Sequence, residues 1–130
     1  MKNKDIDFLT LAEIIEIHSN QIELFGGLKG IRDISLLSSA LSMPRATFDG
    51  QYLNNDLFEM SAAYIYHICQ NHPFVDGNKR AALVAGLVFL DFNGIETNDP
   101  EGALYSMMVK VASGKGDKNY IVSVLKGLAP

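Results

Sequence analysis

A chain of 130 residues, 48% of them hydrophobic, can bury one hydrophobic core and is short for two, so a single domain over residues 1–130 is expected. Its 15 acidic and 11 basic side chains give a formal charge of -4, the reverse of the footprint that follows a nucleic-acid backbone, and no nucleic acid is expected as a partner. The single cysteine, Cys69, excludes an internal disulfide and a thiolate metal cluster and points to a reducing compartment.

Residues 1–7 carry no continuous apolar run, which argues against a secretory signal. The longest apolar stretch, Ala81 to Leu90, is too short for the roughly 20 residues of a spanning helix. The expected location is therefore cytoplasmic, with no membrane partner.

In chain order, Leu11, Ile14, Ile15, His18, Ile22 and Phe25 share one helical stripe. Thr10 and Glu13 stand at capping-box spacing at its start, and Gly26-Gly27 ends it. Asp33 then serves as N-cap for a short second helix carrying Leu36, Leu37, Ala40 and Leu41, which stops at Pro44. The segment Ala46 to Leu53 changes character, because Asp49-Gly50 lies between Phe48 and Tyr52 as in a tight turn, and predicts a small β-hairpin flap. A third helix is expected from about Asp56 to Asn71, ended by His72-Pro73, since the residue before proline is pushed away from right-handed helical geometry.

A fourth helix starts near Asn78 and runs to Phe92. It is apolar almost all round from Ala81, which predicts that it is the central helix. Gly94 closes it. Asp99-Pro100 then reads as N-cap and first residue of a fifth helix with Leu104, Met107, Met108 and Val111 inward. After Gly114 and Gly116, a sixth helix presents Ile121, Val124, Leu125 and Leu128. The expected class is all-α, a bundle of about six helices with one hairpin flap.

The chemistry concentrates in His72-Pro73-Phe74-Val75-Asp76-Gly77-Asn78-Lys79-Arg80, where one imidazole, one carboxylate, one amide and two cations meet at a loop-to-helix junction. Gly77 lets the backbone approach a ligand, and the unpaired N–H groups of a helix starting near Asn78 favour an anion. Lys79 and Arg80 add full charges. Asp76 suits a hard cation such as magnesium, which binds through one or two carboxylates plus phosphates. His72, with an ordinary pKa near 6.5, can accept a hydroxyl proton near neutral pH.

This loop resembles the motif of the Fic/Doc family: His, Pro or another residue, Phe, any residue, Asp or Glu, Gly or Ala, Asn, then Gly or Lys before Arg. The likeness extends to Gly26-Gly27-Leu28-Lys29-Gly30-Ile31-Arg32-Asp33, to the flap region from Pro44 to Gly50 and to Phe89-Leu90-Asp91-Phe92-Asn93-Gly94, so most of the chain is covered. The resemblance implies a Fic-type helical core with a hairpin flap over the site. It implies His72 as base, Asp76 as magnesium ligand, Asn78 and Arg80 as phosphate contacts, Gly77 as the shaper of the anion hole and Phe74 as a buried loop anchor. The flap, Thr47-Phe48-Asp49-Gly50-Gln51, would receive the target as an added strand.

Lys79, where nucleotidyl-transferring members have glycine, and Leu83, where they have a second arginine, are features of the Doc branch. That branch implies ATP as substrate with Mg2+, transfer of the γ-phosphate to a threonine of translation elongation factor Tu, and restraint by a small antitoxin. The alternatives are transfer of AMP on the same fold and a non-catalytic binding module, against which stands the full set of His72, Asp76, Asn78 and Arg80. A metal-dependent hydrolase is disfavoured because no close-spaced histidine pair supplies its ligands. Thr97-Asn98-Asp99-Pro100-Glu101-Gly102 matches the self-inhibitory pattern of some Fic proteins. A helix start at Asp99-Pro100 and Leu83 in place of the partner arginine speak against that role. His18 and His67 read as buried histidines hydrogen-bonded to neighbouring segments, outside the site, and Met107 and Met108 as core.

Overall fold

The computed structural model describes residues 5–130. Among them lie six helices, α1 (Leu11–Phe25), α2 (Ile34–Ser42), α3 (Leu57–Asn71), α4 (Asn78–Phe92), α5 (Ala103–Ala112) and α6 (Lys118–Leu128). One antiparallel hairpin, β1 (Thr47–Phe48) with β2 (Gln51–Tyr52), separates α2 from α3. The fold is the helical one expected, hairpin included. No helix among the described residues is long and apolar enough to cross a membrane.

Side-chain caps set several boundaries. Thr10 and Glu13 form a complete capping box on α1, while Asp33, Asp56 and Asp117 accept from the third-residue N–H of α2, α3 and α6. Each such cap is worth about 1 kcal/mol.

The centre of the bundle is α3, not α4 as the apolar run suggested. α3 packs against α2, α4, α5 and α6 and buries Met60 through Ile65 without a break. α4 meets α1, α3 and α5, and its Leu83, Val84, Leu87 and Val88 are only partly covered. Small residues explain the choice: Ser61, Ala62 and Ala63 let neighbours approach α3 from several sides. At Gly86 of α4 a Cβ would stand 2.5 Å from Ile65 Cγ1, and Ser61 Oγ donates to the Gly86 carbonyl at 2.8 Å.

A second correction concerns α5, which starts at Ala103 with Gly102 at its N-cap position rather than at Pro100. Asp99 still serves the helix from outside, accepting from the N–H groups of Ala103 at 2.7 Å and Leu104 at 2.9 Å. Glu101 is exposed in the turn before it.

The segment before α1 straps across the core. Asp7 and Asn93 exchange hydrogen bonds, and Leu9 N–H donates to the buried Tyr64 hydroxyl. Phe8 lies 5.8 Å from the rings of both Phe89 and Tyr52, which connects the strap to the hairpin.

Candidate active site

The loop from His72 to Gly77 connects α3 to α4, and both ends have unusual backbone. His72 caps α3 in the left-handed region at φ 53°, a conformation costing a non-glycine residue about 1 kcal/mol. Gly77 precedes α4 at φ 75°, where glycine is at ease. Phe74 is completely buried between these turns, so the exposed His72 and the partly exposed Asp76 sit on either side of an apolar anchor.

Polar contacts fix the loop from three directions. The buried Asn78 side chain accepts from Phe74 N–H at 2.9 Å and donates to the Phe74 carbonyl at 2.9 Å and to His72 Nδ1 at 3.1 Å. Its amide is thus turned inward, and both of its N–H bonds are used within the loop. From α1, the buried His18 ring stacks on Phe74 at 3.8 Å and donates through Nε2 to the Asp76 carbonyl at 2.7 Å. From the turn after α1, Gly30 O accepts from Val75 N–H, and Pro73 O accepts from the N–H groups of Arg32 and Asp33. Arg32 also donates to the carbonyls of His72 at 2.7 Å and Asn71 at 3.0 Å, supplying at the end of α3 the positive charge its last turn lacks.

Asp76 is held ionised. Its two oxygens accept from Leu28 N–H at 3.0 Å and Gly77 N–H at 2.9 Å. These bonds hold the carboxyl below its ordinary range, opposed by partial desolvation and aided by the charges of Arg80 and His18. Each oxygen keeps a further lone pair, so the carboxylate fits a hard cation. No cluster of three His, Cys, Asp or Glu side chains able to hold a metal occurs among the described residues. Magnesium would therefore rest on Asp76 and on a ligand's own phosphate oxygens.

His72, Val75, Asp76, Gly77, Asn78, Lys79 and Arg80 line one cavity of about 190 Å³. Pockets for drug-sized ligands run to roughly 300–1,000 Å³, so this one suits a phosphate group or two rather than a whole nucleotide. No side chain caps α4, and its first-turn N–H groups remain available to an anion. Lys79 is exposed at that terminus. The Arg80 guanidinium reaches back to the carbonyls of Gln21 at 3.2 Å and Gly26 at 2.9 Å, so it ties α1 to α4 while bordering the cavity.

The flap residues do not join this cavity. Thr47, Gly50 and Gln51 line a separate, larger one of about 860 Å³ with Phe8, Arg45 and Tyr52, and no hydrogen bond among the described residues joins flap to motif loop. His18, Arg32 and the Leu28 N–H support the site without having been singled out for it. In the turn after α1, Gly27 marks the close approach, since a Cβ there would stand 2.9 Å from the Asp76 carboxylate.

Against known proteins, residues 8–90 match the Fic/DOC family. The chain is 33% identical over 117 residues to "Protein kinase doc" of Escherichia phage P1, covering 89% of this chain and 90% of that protein. It is 36% identical over 108 residues to "Toxin Doc" of Mycolicibacterium smegmatis (strain ATCC 700084 / mc(2)155), covering 81% and 82% respectively.

Proposed function

The chain belongs to the Fic/Doc family, and on that premise we propose that it is a Doc-like toxin that moves the γ-phosphate of ATP onto a hydroxyl of a target protein. The names of the two relatives, a protein kinase and a toxin, support both halves of this reading. The observation that carries it is the phosphate-sized cavity at the uncapped start of α4, lined by His72, Asp76, Lys79 and Arg80.

The target hydroxyl oxygen forms a bond to the γ-phosphorus, the bond from that phosphorus to the β,γ-bridging oxygen breaks, and ADP leaves. His72 takes the hydroxyl proton. The α4 N–H groups, Lys79 and Arg80 face the charge that spreads over the transferring group. Magnesium, where bound by Asp76 and phosphate oxygens, would neutralise phosphate charge. Lys79 puts bulk and charge where a glycine would leave room for a β-phosphate, and Leu83 has no donor for a phosphate tail. Both favour ATP seated with its γ-phosphate toward His72.

The target is a threonine of translation elongation factor Tu, the restraint a small antitoxin protein, and the setting the cytoplasm. Target binding falls to the flap. Phe48 and Gln51 flank the two-residue turn, and Leu53 N–H donates to the Ala46 carbonyl at 2.9 Å. By antiparallel alternation the main-chain groups of Thr47 then face away from β2 and offer an edge to an extended segment.

ATP labelled at the α- or the γ-position, followed into elongation factor Tu, tests the chemistry. Only γ-label should transfer. Incorporation of α-label would replace this reading with AMP transfer, and incorporation of neither would remove the factor as target.

A further inference from the structure

The Asn78 carboxamide cannot be turned over. Its Oδ1 accepts from Phe74 N–H and its Nδ2 donates to the Phe74 carbonyl, both at 2.9 Å, and exchanging the two ends would set donor against donor and acceptor against acceptor. The second Nδ2 hydrogen is directed at His72 Nδ1, 3.1 Å away. An amide nitrogen offers no lone pair, so Nδ1 must be the acceptor, and the neutral ring carries its proton on Nε2. Asn78 is 4% exposed, which leaves little room for water to replace it. Nε2 has no hydrogen-bond partner among the described residues.

We propose that Asn78 is a positioning residue that fixes the resting tautomer of His72, holding the proton on Nε2 and thereby keeping the base idle until the contact is released. The inference rests on the reading of His72 as the proton acceptor. A ring with Nε2–H has its only lone pair at Nδ1, already committed to Asn78. To receive a hydroxyl proton at Nε2, the ring must first lose that proton to water and gain one from water at Nδ1, with no change in net charge. The Nδ1–H so formed would confront the Asn78 N–H, so the two groups separate as the working tautomer forms.

The ¹⁵N frequencies of the imidazole nitrogens decide this in the full chain, at a pH where the ring is neutral, with the His72 signals assigned by their loss in His72→Gln. Nδ1 should resonate as a bare nitrogen and Nε2 as a protonated one. A predominance of Nδ1–H, or equal populations, would overturn the proposal. In Asn78→Asp a carboxylate replaces the donor, and the pattern should invert as Nδ1–H donates to it. Retention of the original tautomer in that variant would show that Asn78 does not set it. The wild-type spectrum is decisive even should the variant not fold. Because no transfer assay enters, absence of any transferase activity would defeat the functional reading and leave the tautomer result standing.

Discussion

The motif loop and the hairpin flap are both short connections beside helices, yet they are built on opposite principles. The loop from His72 to Gly77 is held by its own buried Phe74 ring, by the buried Asn78 amide that follows it, and by the stacked His18 imidazole and Arg32, which reach it from α1 and the turn after α1. The hairpin has two residue pairs, exposed side chains throughout and contacts to the core chiefly through Tyr52 and Phe8. The main-chain N–H groups and the carboxylate that must meet a transferring phosphate gain from being fixed in advance, because their reorganisation then adds nothing to the barrier. A surface that must accept another protein's backbone needs only an available edge and can adapt.

The sharpest test of the fixed half is His72→Ala, which should lower transfer by roughly 10²–10⁴-fold while the far-ultraviolet circular dichroism stays that of wild type, since the side chain is exposed. Undiminished transfer would remove His72 from the chemistry. Next in size is a paired truncation: Phe74→Ala, at a fully buried site, should cost about 3–5 kcal/mol. Phe48→Ala, at a residue 75% exposed in the flap, should stay within about 0.5 kcal/mol. Urea unfolding of both variants measures the contrast, and similar losses would erase the distinction between the regions.

Proline in the flap separates edge from turn. Thr47→Pro removes an outward N–H and should reduce target modification by up to about tenfold, the worth of one main-chain bond, with stability kept. Gln51→Pro should instead unmake the hairpin, because Gln51 pairs inward with Phe48. Full activity in both would end the strand-addition reading.

The smallest effect is one of pH. The Asp76 carboxyl is held below its ordinary value of 3.8, first by the Leu28 and then by the Gly77 N–H, so the folded state resists protonation more than the unfolded chain does. Its stabilising contribution is present above that value and is lost as pH falls through it toward the lower folded value. Asp76→Asn should therefore lose less stability than wild type between pH 5 and pH 3 in denaturant titrations. Parallel losses would show that the two N–H bonds do not hold the carboxylate.

Much of this was legible in the sequence wherever the determinant is local. Thr10 with Glu13, Asp33 before α2, and Asp49-Gly50 between apolar residues mark their elements by short-range chemistry that tertiary packing did not override. The density of His72, Asp76, Asn78 and Arg80 marked the candidate site for the same reason. The identity of the central helix was not legible. An apolar run reports that a surface is covered but not how many neighbours cover it, and the small residues of α3 proved the better guide. Asp99 misled by a related route, since a carboxylate can serve a helix start from several residues away. The inward turn of Asn78, the stacking of His18 and the reach of Arg32 depend on which segments meet, and spacing along the chain does not encode that.

The distances along the chain bridged by those ties have a kinetic consequence. The contacts that α1 and the turn after it make with the motif loop and Arg80 join residues 39 to 59 positions apart, so each requires closure of a long loop before it contributes anything. The left-handed His72, held by Arg32, and the Leu28 N–H bond to the Asp76 carboxylate are thus late products of folding rather than properties of the local peptide. Contacts of such high order form slowly compared with helices. A nascent chain that has already exposed every motif residue, but has not yet docked α1 against α4, carries the letters of the site without its geometry. Activity should appear with the closing of the fold, not with synthesis of the motif.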